Sequence, residues 1–150
     1  MNNKIFKSIF AGFFSFITIL ILTVLSYKTE YGIFLIASFG STMVLLYGYP
    51  ESPFAKGRNV FFGHIITSIA GLMCYSILVS HLSFSITFVI PIAVGLGIFF
   101  MILLNSTHPP AGGNPILIIL GGYSFDFLFN LKIFFICKCD ADILFKIFNP

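Results

Sequence analysis

From Asn59 to Phe125 the chain runs for 67 residues without one Asp, Glu, Lys or Arg. A soluble domain draws about a quarter of its residues from those four types, so this stretch is solvated by lipid. It is also too long for one helix, because about 20 residues already cross the roughly 30 Å hydrocarbon layer at 1.5 Å per residue. The stretch must therefore be folded back on itself. The rest of the chain agrees: 58% of the 150 residues are apolar and 9% are charged. At about 20 residues per crossing plus a short connection, the length holds five or six crossings in one bundle and no separate soluble domain.

Charged and polar residues cut the sequence into spans. Residues 8–27 are uncharged and are followed by Lys28-Thr29-Glu30; residues 31–50 are uncharged and end at the polar connection Glu51 to Arg58. Tyr27, Tyr31, Tyr47 and Tyr49 fall at the ends of these spans, where amphipathic rings favour the headgroup boundary. Ser80-His81-Leu82-Ser83 separates a third span, 60–79, from a fourth, 84–104. The stronger break is Asn105 to Pro115, whose three prolines remove backbone donors and disfavour helical geometry before them. Ile116 to Leu120, closed by Gly121-Gly122, is too short to cross. It reads as part of a broken fifth helix or as a re-entrant hairpin, since irregular backbone at membrane depth persists only when buried in protein or lining a wet cavity. The expected fold is an all-α membrane protein, a polytopic bundle of four to six transmembrane segments in a single domain, 1–150. Residues 130–150 are atypical, with five charges and two cysteines.

Lys4, Lys7, Lys56 and Arg58 fall on one side of the first three spans and Lys28 on the other, which predicts a cytoplasmic N-terminus. Residues 8–27 lack an A-x-A-like cleavage site, so the first helix is expected to be retained. The basic residues form no stripe of the kind that reads phosphate backbones, and no nucleic-acid partner is expected. Cys74, Cys137 and Cys139 match no usual metal or redox spacing. No metal, cofactor or enzymatic activity is expected, for want of a helical His-x-x-x-His or an acidic partner at ligand spacing.

Polar groups are scarce, which makes their positions informative. In the third span Asn59, Gly63, Thr67 and Gly71 recur every four residues, with His64 and Ser68 beside them on one helical face. Small residues at that interval allow close helix packing in lipid, whereas an ionisable His64 in a span is costly and seeks a partner or a cavity. Gly40-Ser41-Thr42 interrupts the second span with hydroxyls that bond back to carbonyls or line a polar path. After the prolyl break, Asn105, Thr107, His108 and the amides of Gly112, Gly113 and Asn114 suit an anion, because interrupted helices present partially positive N-termini near transporter substrate sites.

Thr107-His108-Pro109-Pro110-Ala111-Gly112 resembles the signature of the HPP family of membrane proteins. Phe39-Gly40-Ser41-Thr42, Pro50-Glu51-Ser52-Pro53, Arg58-Asn59 and Gly63-His64 resemble its other blocks in order. The resemblance covers roughly residues 8–129 and implies a compact bundle of four or more helices. It also implies a link to nitrite, whose transport is associated with chloroplast and cyanobacterial members.

The expected function is thus a small-anion, nitrite-like transporter or channel, working as a homo-oligomer in the cell inner membrane. Its partners are the lipid bilayer and a small inorganic anion. Arg58 draws the anion to the entrance; His108, Asn105, Thr107, Gly112, Gly113 and Asn114 bind it, with Ser41, Thr42 and Asn59 on the path. His64 binds the anion or carries a coupled proton, since its charge can change near neutral pH. Gly40, Glu51, Pro53, Pro109 and Pro110 serve as structural motif residues. The alternative is a non-transporting scaffold or accessory subunit, in which the prolyl segment and the glycine stripe serve only packing.

Overall fold

The computed structural model describes residues 2–28 and 37–123, and every regular element among them is helical. α1 (Asn2–Lys28) is followed by α2 (Ala37–Met43), which widens into a π-helical stretch over Val44–Gly48. A 3-10 turn at Pro53–Ala55 leads into α3 (Gly57–Cys74), itself extended by π-helical Tyr75–His81. α4 (Ile86–Leu103), a 3-10 turn at Pro109–Gly113 and α5 (Asn114–Gly121) complete the described chain.

Three of these helices are long and apolar enough to cross a membrane: Lys4–Val24, Gly57–His81 and Ile86–Leu103. They correspond to the first, third and fourth spans expected from the charge gaps. Of the second expected span only Ala37–Gly48 is described. At 1.5 Å per residue the eight residues of α5 reach about 12 Å, too little for a crossing. Three of the expected four to six crossings are thus seen among the described residues, with two shorter helical pieces packed against them. Asp126 and the charged tail 130–150 lie outside the described residues.

α3 is the central element, packing against α4, α5 and both 3-10 turns. The four-residue spacing explains its place. A Cβ on Gly63 would lie 2.9 Å from the His108 Cβ, and one on Gly71 would lie 2.8 Å from the Pro115 Cα. Across the α3–α4 contact, Gly97 supplies the gap, since a Cβ there would meet the Thr67 Cγ2 at 3.2 Å. In lipid, where apolar burial does not drive helices together, such close approach is a main source of association. α1 is peripheral and shows Phe6, Ile9, Phe13 and Phe16 to its surroundings. It is tied to the π-helical stretch by a 2.6 Å hydrogen bond between Thr18 Oγ1 and Tyr47 Oη.

The breaks have local causes. α4 ends with Asn105 in the left-handed region, φ 52°. The Ser106 N–H returns to the Met101 carbonyl and the Asn105 N–H to the Ile102 carbonyl, the pairing that satisfies orphan carbonyls at a helix end. α5 ends the same way at Gly122, φ 63°, with Tyr123 N–H on Ile118 and Gly122 N–H on Ile119. Ser83, φ 55°, closes the π-helical end of α3. Each ending coincides with a polar or glycine interruption in the sequence.

Candidate functional site

The close contacts at Gly63 and Gly71 bring the prolyl segment and the start of α5 onto the polar face of α3. A buried polar cluster forms there from Ser38 and Thr42 on α2, His64, Thr67 and Ser68 on α3, His108 before the prolines and Asn114 at the head of α5. His64, Thr42, Thr67, Ser68 and His108 are all 0% exposed. A buried polar group without a partner costs several kcal/mol in an apolar medium, and the cluster meets that demand internally.

Asn114 is the hub. Its Oδ1 accepts from Ser38 Oγ at 2.8 Å. Its Nδ2 lies 2.9 Å from His64 Nδ1, 3.1 Å from Ser68 Oγ and 3.3 Å from the His64 carbonyl oxygen. A carbonyl can only accept, which fixes the amide orientation and makes His64 Nδ1 an acceptor. Neutral His64 therefore carries its proton on Nε2, which points to Thr42 Oγ1 at 3.4 Å.

His108 is fixed the opposite way. Its Nδ1 lies 2.8 Å from the Phe54 carbonyl and must donate to it. In the neutral ring Nε2 is then the acceptor, 3.0 Å from Thr42 Oγ1. The two imidazoles are tilted with centroids 5.2 Å apart, and Phe39 meets His64 edge-on at 5.4 Å. The His108 backbone N–H points at the Met101 sulfur, 3.4 Å away. His108 lies outside the three long helices, and burial pushes its imidazole below the ordinary range, partly opposed by its bond to Phe54.

Thr42, His64, His108 and Asn114 are brought together. Ser41 is exposed, with its hydroxyl turned back to the Ser38 carbonyl at 2.9 Å, and Gly40 is exposed beside it. Arg58 is exposed at the start of α3, and the half-buried Asn59 spends its amide on the Pro53 carbonyl at 2.8 Å. Glu51 and Pro53 are exposed in the same connection. Asn105 is exposed and closes α4, while Thr107, Gly112 and Gly113 are half-buried beside the cluster. Pro109 and Pro110 open the 3-10 turn that carries the chain from His108 into α5.

Three participants escaped the sequence: Ser38, the Phe54 carbonyl and the Met101 sulfur. Ser38 lies four residues before Thr42, the spacing that puts both on one helical face, and that signal could have found it. The Phe54 carbonyl is a backbone group with no sequence signature. Among the described residues no three His, Cys, Asp or Glu side chains gather as a metal-holding set. The cluster is a hydrogen-bonding one, able to present donors to an anion and to move or hold a proton.

Comparison with known proteins identifies the family. The family profile described as HPP, transmembrane region, matches residues 2–139. Two transmembrane proteins of Dictyostelium discoideum are 32% and 35% identical over 111 and 109 residues, each match covering 71% of this chain. Those matches cover 38% and 35% of the relatives, so the chain spans well under half the length of either. No solved structure gives a significant match. The chain is an integral, multi-pass membrane protein and belongs to the HPP transmembrane family.

Proposed function

We propose that the chain moves a small inorganic anion, nitrite being the best-motivated, across the membrane as a homo-oligomeric transporter or channel, with its N-terminus on the cytoplasmic side of the cell inner membrane. The observation that carries this reading is the buried convergence of Thr42, His64, His108 and Asn114 in an otherwise apolar bundle. Apolar side chains would fill the same volume in lipid without needing partners, and polar groups inside membrane helices ordinarily mark a substrate or ion path. Arg58 is exposed four residues from Phe54, whose carbonyl holds His108. Arg58 thus lies close in sequence to the turn that holds His108. Arg58 attracts the anion, and the Asn114 amide, the Thr42 hydroxyl and the imidazole N–H groups replace part of its hydration.

Purified protein in liposomes tests this directly. Nitrite uptake is expected, reduced at least about tenfold by His108→Ala, the loss that follows when about 1.4 kcal/mol of stabilisation is removed. Absence of nitrite, nitrate and formate flux under every pH gradient overturns the reading. The internally satisfied hydrogen bonds and the close glycine contacts favour a second reading, a non-transporting scaffold. In that case His108→Ala and Arg58→Ala leave anion-induced thermal shifts unchanged, while Gly71→Leu disrupts assembly.

A further inference from the structure

Thr42 Oγ1 has one hydrogen and two acceptors at equal distance: the Ser38 carbonyl at 3.0 Å and His108 Nε2 at 3.0 Å. The hydroxyl can donate to only one of them. With His108 neutral, Nε2 is bare and accepts a hydrogen bond from the hydroxyl. With His108 protonated, both ring nitrogens donate, so Thr42 must accept from Nε2 and turn its own proton to Ser38. Every atom has a satisfied arrangement in both states.

His64 lacks that freedom. Its Nδ1 faces the Asn114 amide N–H at 2.9 Å, and a proton added there would set two donors against each other. His64 on α3 is the titratable group that faces His108. α2 presents Thr42 and Ser38, the 53–55 turn presents the Phe54 carbonyl, α4 the Met101 sulfur and α5 Asn114, none of which bears a charge. With ring centroids 5.2 Å apart, a second positive charge is strongly disfavoured in a low-dielectric site.

We propose that His64, Thr42 and His108 form a one-proton carrier, in which a single proton per chain binds His108 Nε2 and the Thr42 hydroxyl swings from that atom to the Ser38 carbonyl as it binds. The proton comes from the aqueous phase and returns to it; one N–H bond forms on uptake, the same bond breaks on release, and no electron moves. The carrier rests on the transport reading for its use, since a bound proton would offset the charge of a passing anion, and on the geometry alone for its existence.

The test is nitrogen NMR of the full chain, ¹⁵N-labelled at histidine, in phosphatidylcholine–phosphatidylglycerol nanodiscs, with resonances assigned through His64→Gln, His81→Gln and His108→Gln. At alkaline pH the two buried rings are expected in opposite tautomers, His64 protonated on Nε2 and His108 on Nδ1. On acidification His108 alone becomes imidazolium, one proton per chain. Thr42→Val is expected to move that titration by more than about half a pH unit, and Thr42→Ser to restore it. Identical tautomers, joint titration of both rings, or a Thr42→Val titration unchanged from the parent overturns the proposal. If Thr42→Val does not fold, the parent tautomers and the Thr42→Ser titration decide alone. Liposome flux separates the two readings: tautomers and titration as stated without anion flux leave the carrier standing and remove the transporter, and flux without single-proton titration does the reverse.

Discussion

Ser38 Oγ donates to Asn114 Oδ1 at 2.8 Å, joining α2 to α5 across 76 positions of sequence. Both side chains are buried, so the bond is a tie between elements that share no covalent neighbourhood. Ser38→Ala leaves Asn114 Oδ1 without this donor, and a loss of about 1–3 kcal/mol is expected. Asn114→Ala removes the partner of Ser38, Ser68 and His64 together and is expected to cost more. Unfolding by denaturing detergent in mixed micelles measures both, and the double variant is expected to fall short of the sum because the residues share one network.

Gly63→Ala and Gly71→Ala are expected to destabilise by about 1–3 kcal/mol each, because the added methyl meets the His108 Cβ or the backbone at Pro115 and the neighbours must shift. Gly12 and Gly95 lie in α1 and α4 with open space where a Cβ would stand. Alanine there is expected to be neutral or to stabilise by up to about 1 kcal/mol through helix propensity. Midpoints in the same detergent titration separate the pairs; equal effects at all four glycines would contradict the packing described.

Tyr47→Phe deletes the hydroxyl that meets Thr18 at 2.6 Å. Hydrogen bonds between membrane helices contribute about 0.6–2 kcal/mol, and a loss in that range is expected. Thr18→Val should match it, with little further loss in the double variant. A cysteine pair placed across the α1–Val44–Gly48 contact should cross-link more slowly in either variant.

Stability is expected to fall as pH drops below about 6.5, the ordinary imidazole value. Burial lowers the His108 imidazole in the folded protein, so between the solvated value and the lower folded one the unfolded chain binds more protons. Stability is therefore full above that window and declines through it. Detergent-unfolding midpoints from pH 8 to pH 5 measure the slope, and His108→Gln is expected to reduce it, with the buried His64 leaving a residual slope.

Much of the long-helix architecture is legible in the sequence, because charge gaps and breakers are local signals. The third and fourth spans expected at 60–79 and 84–104 are observed as Gly57–His81 and Ile86–Leu103. The stripe Gly63, Thr67, Gly71 was legible because period four is a property of one helix. Its partners were not, since meeting His108, Gly97 and Pro115 depends on how separate segments fold together. Within the cluster His64 and His108 followed from the cost of polar groups in lipid, and Thr42 and Asn114 were expected beside them. The residue types at Asn105, Ser41 and Arg58 suggested the same site, but backbone conformation places Asn105 at a helix end, back-bonding occupies Ser41, and Arg58 stays exposed at the start of α3. The Phe54 carbonyl was beyond reach because its role belongs to the backbone.

The Pro109-Pro110 pair ends one helical path and begins another, and the second act has a consequence of its own. A helix that starts in water leaves its leading N–H groups to solvent, whereas one that starts among lipid and protein must find an acceptor for each. Here the first two positions of the turn have no N–H at all, the Ala111 N–H returns to the His108 carbonyl at 3.0 Å, and the Asn114 N–H returns to Ala111. The residues that disfavour a helix at His108 are thus the ones that let a helix begin directly after it. Two imino acids in a row allow the chain to change direction beside a buried cluster with few stranded donors.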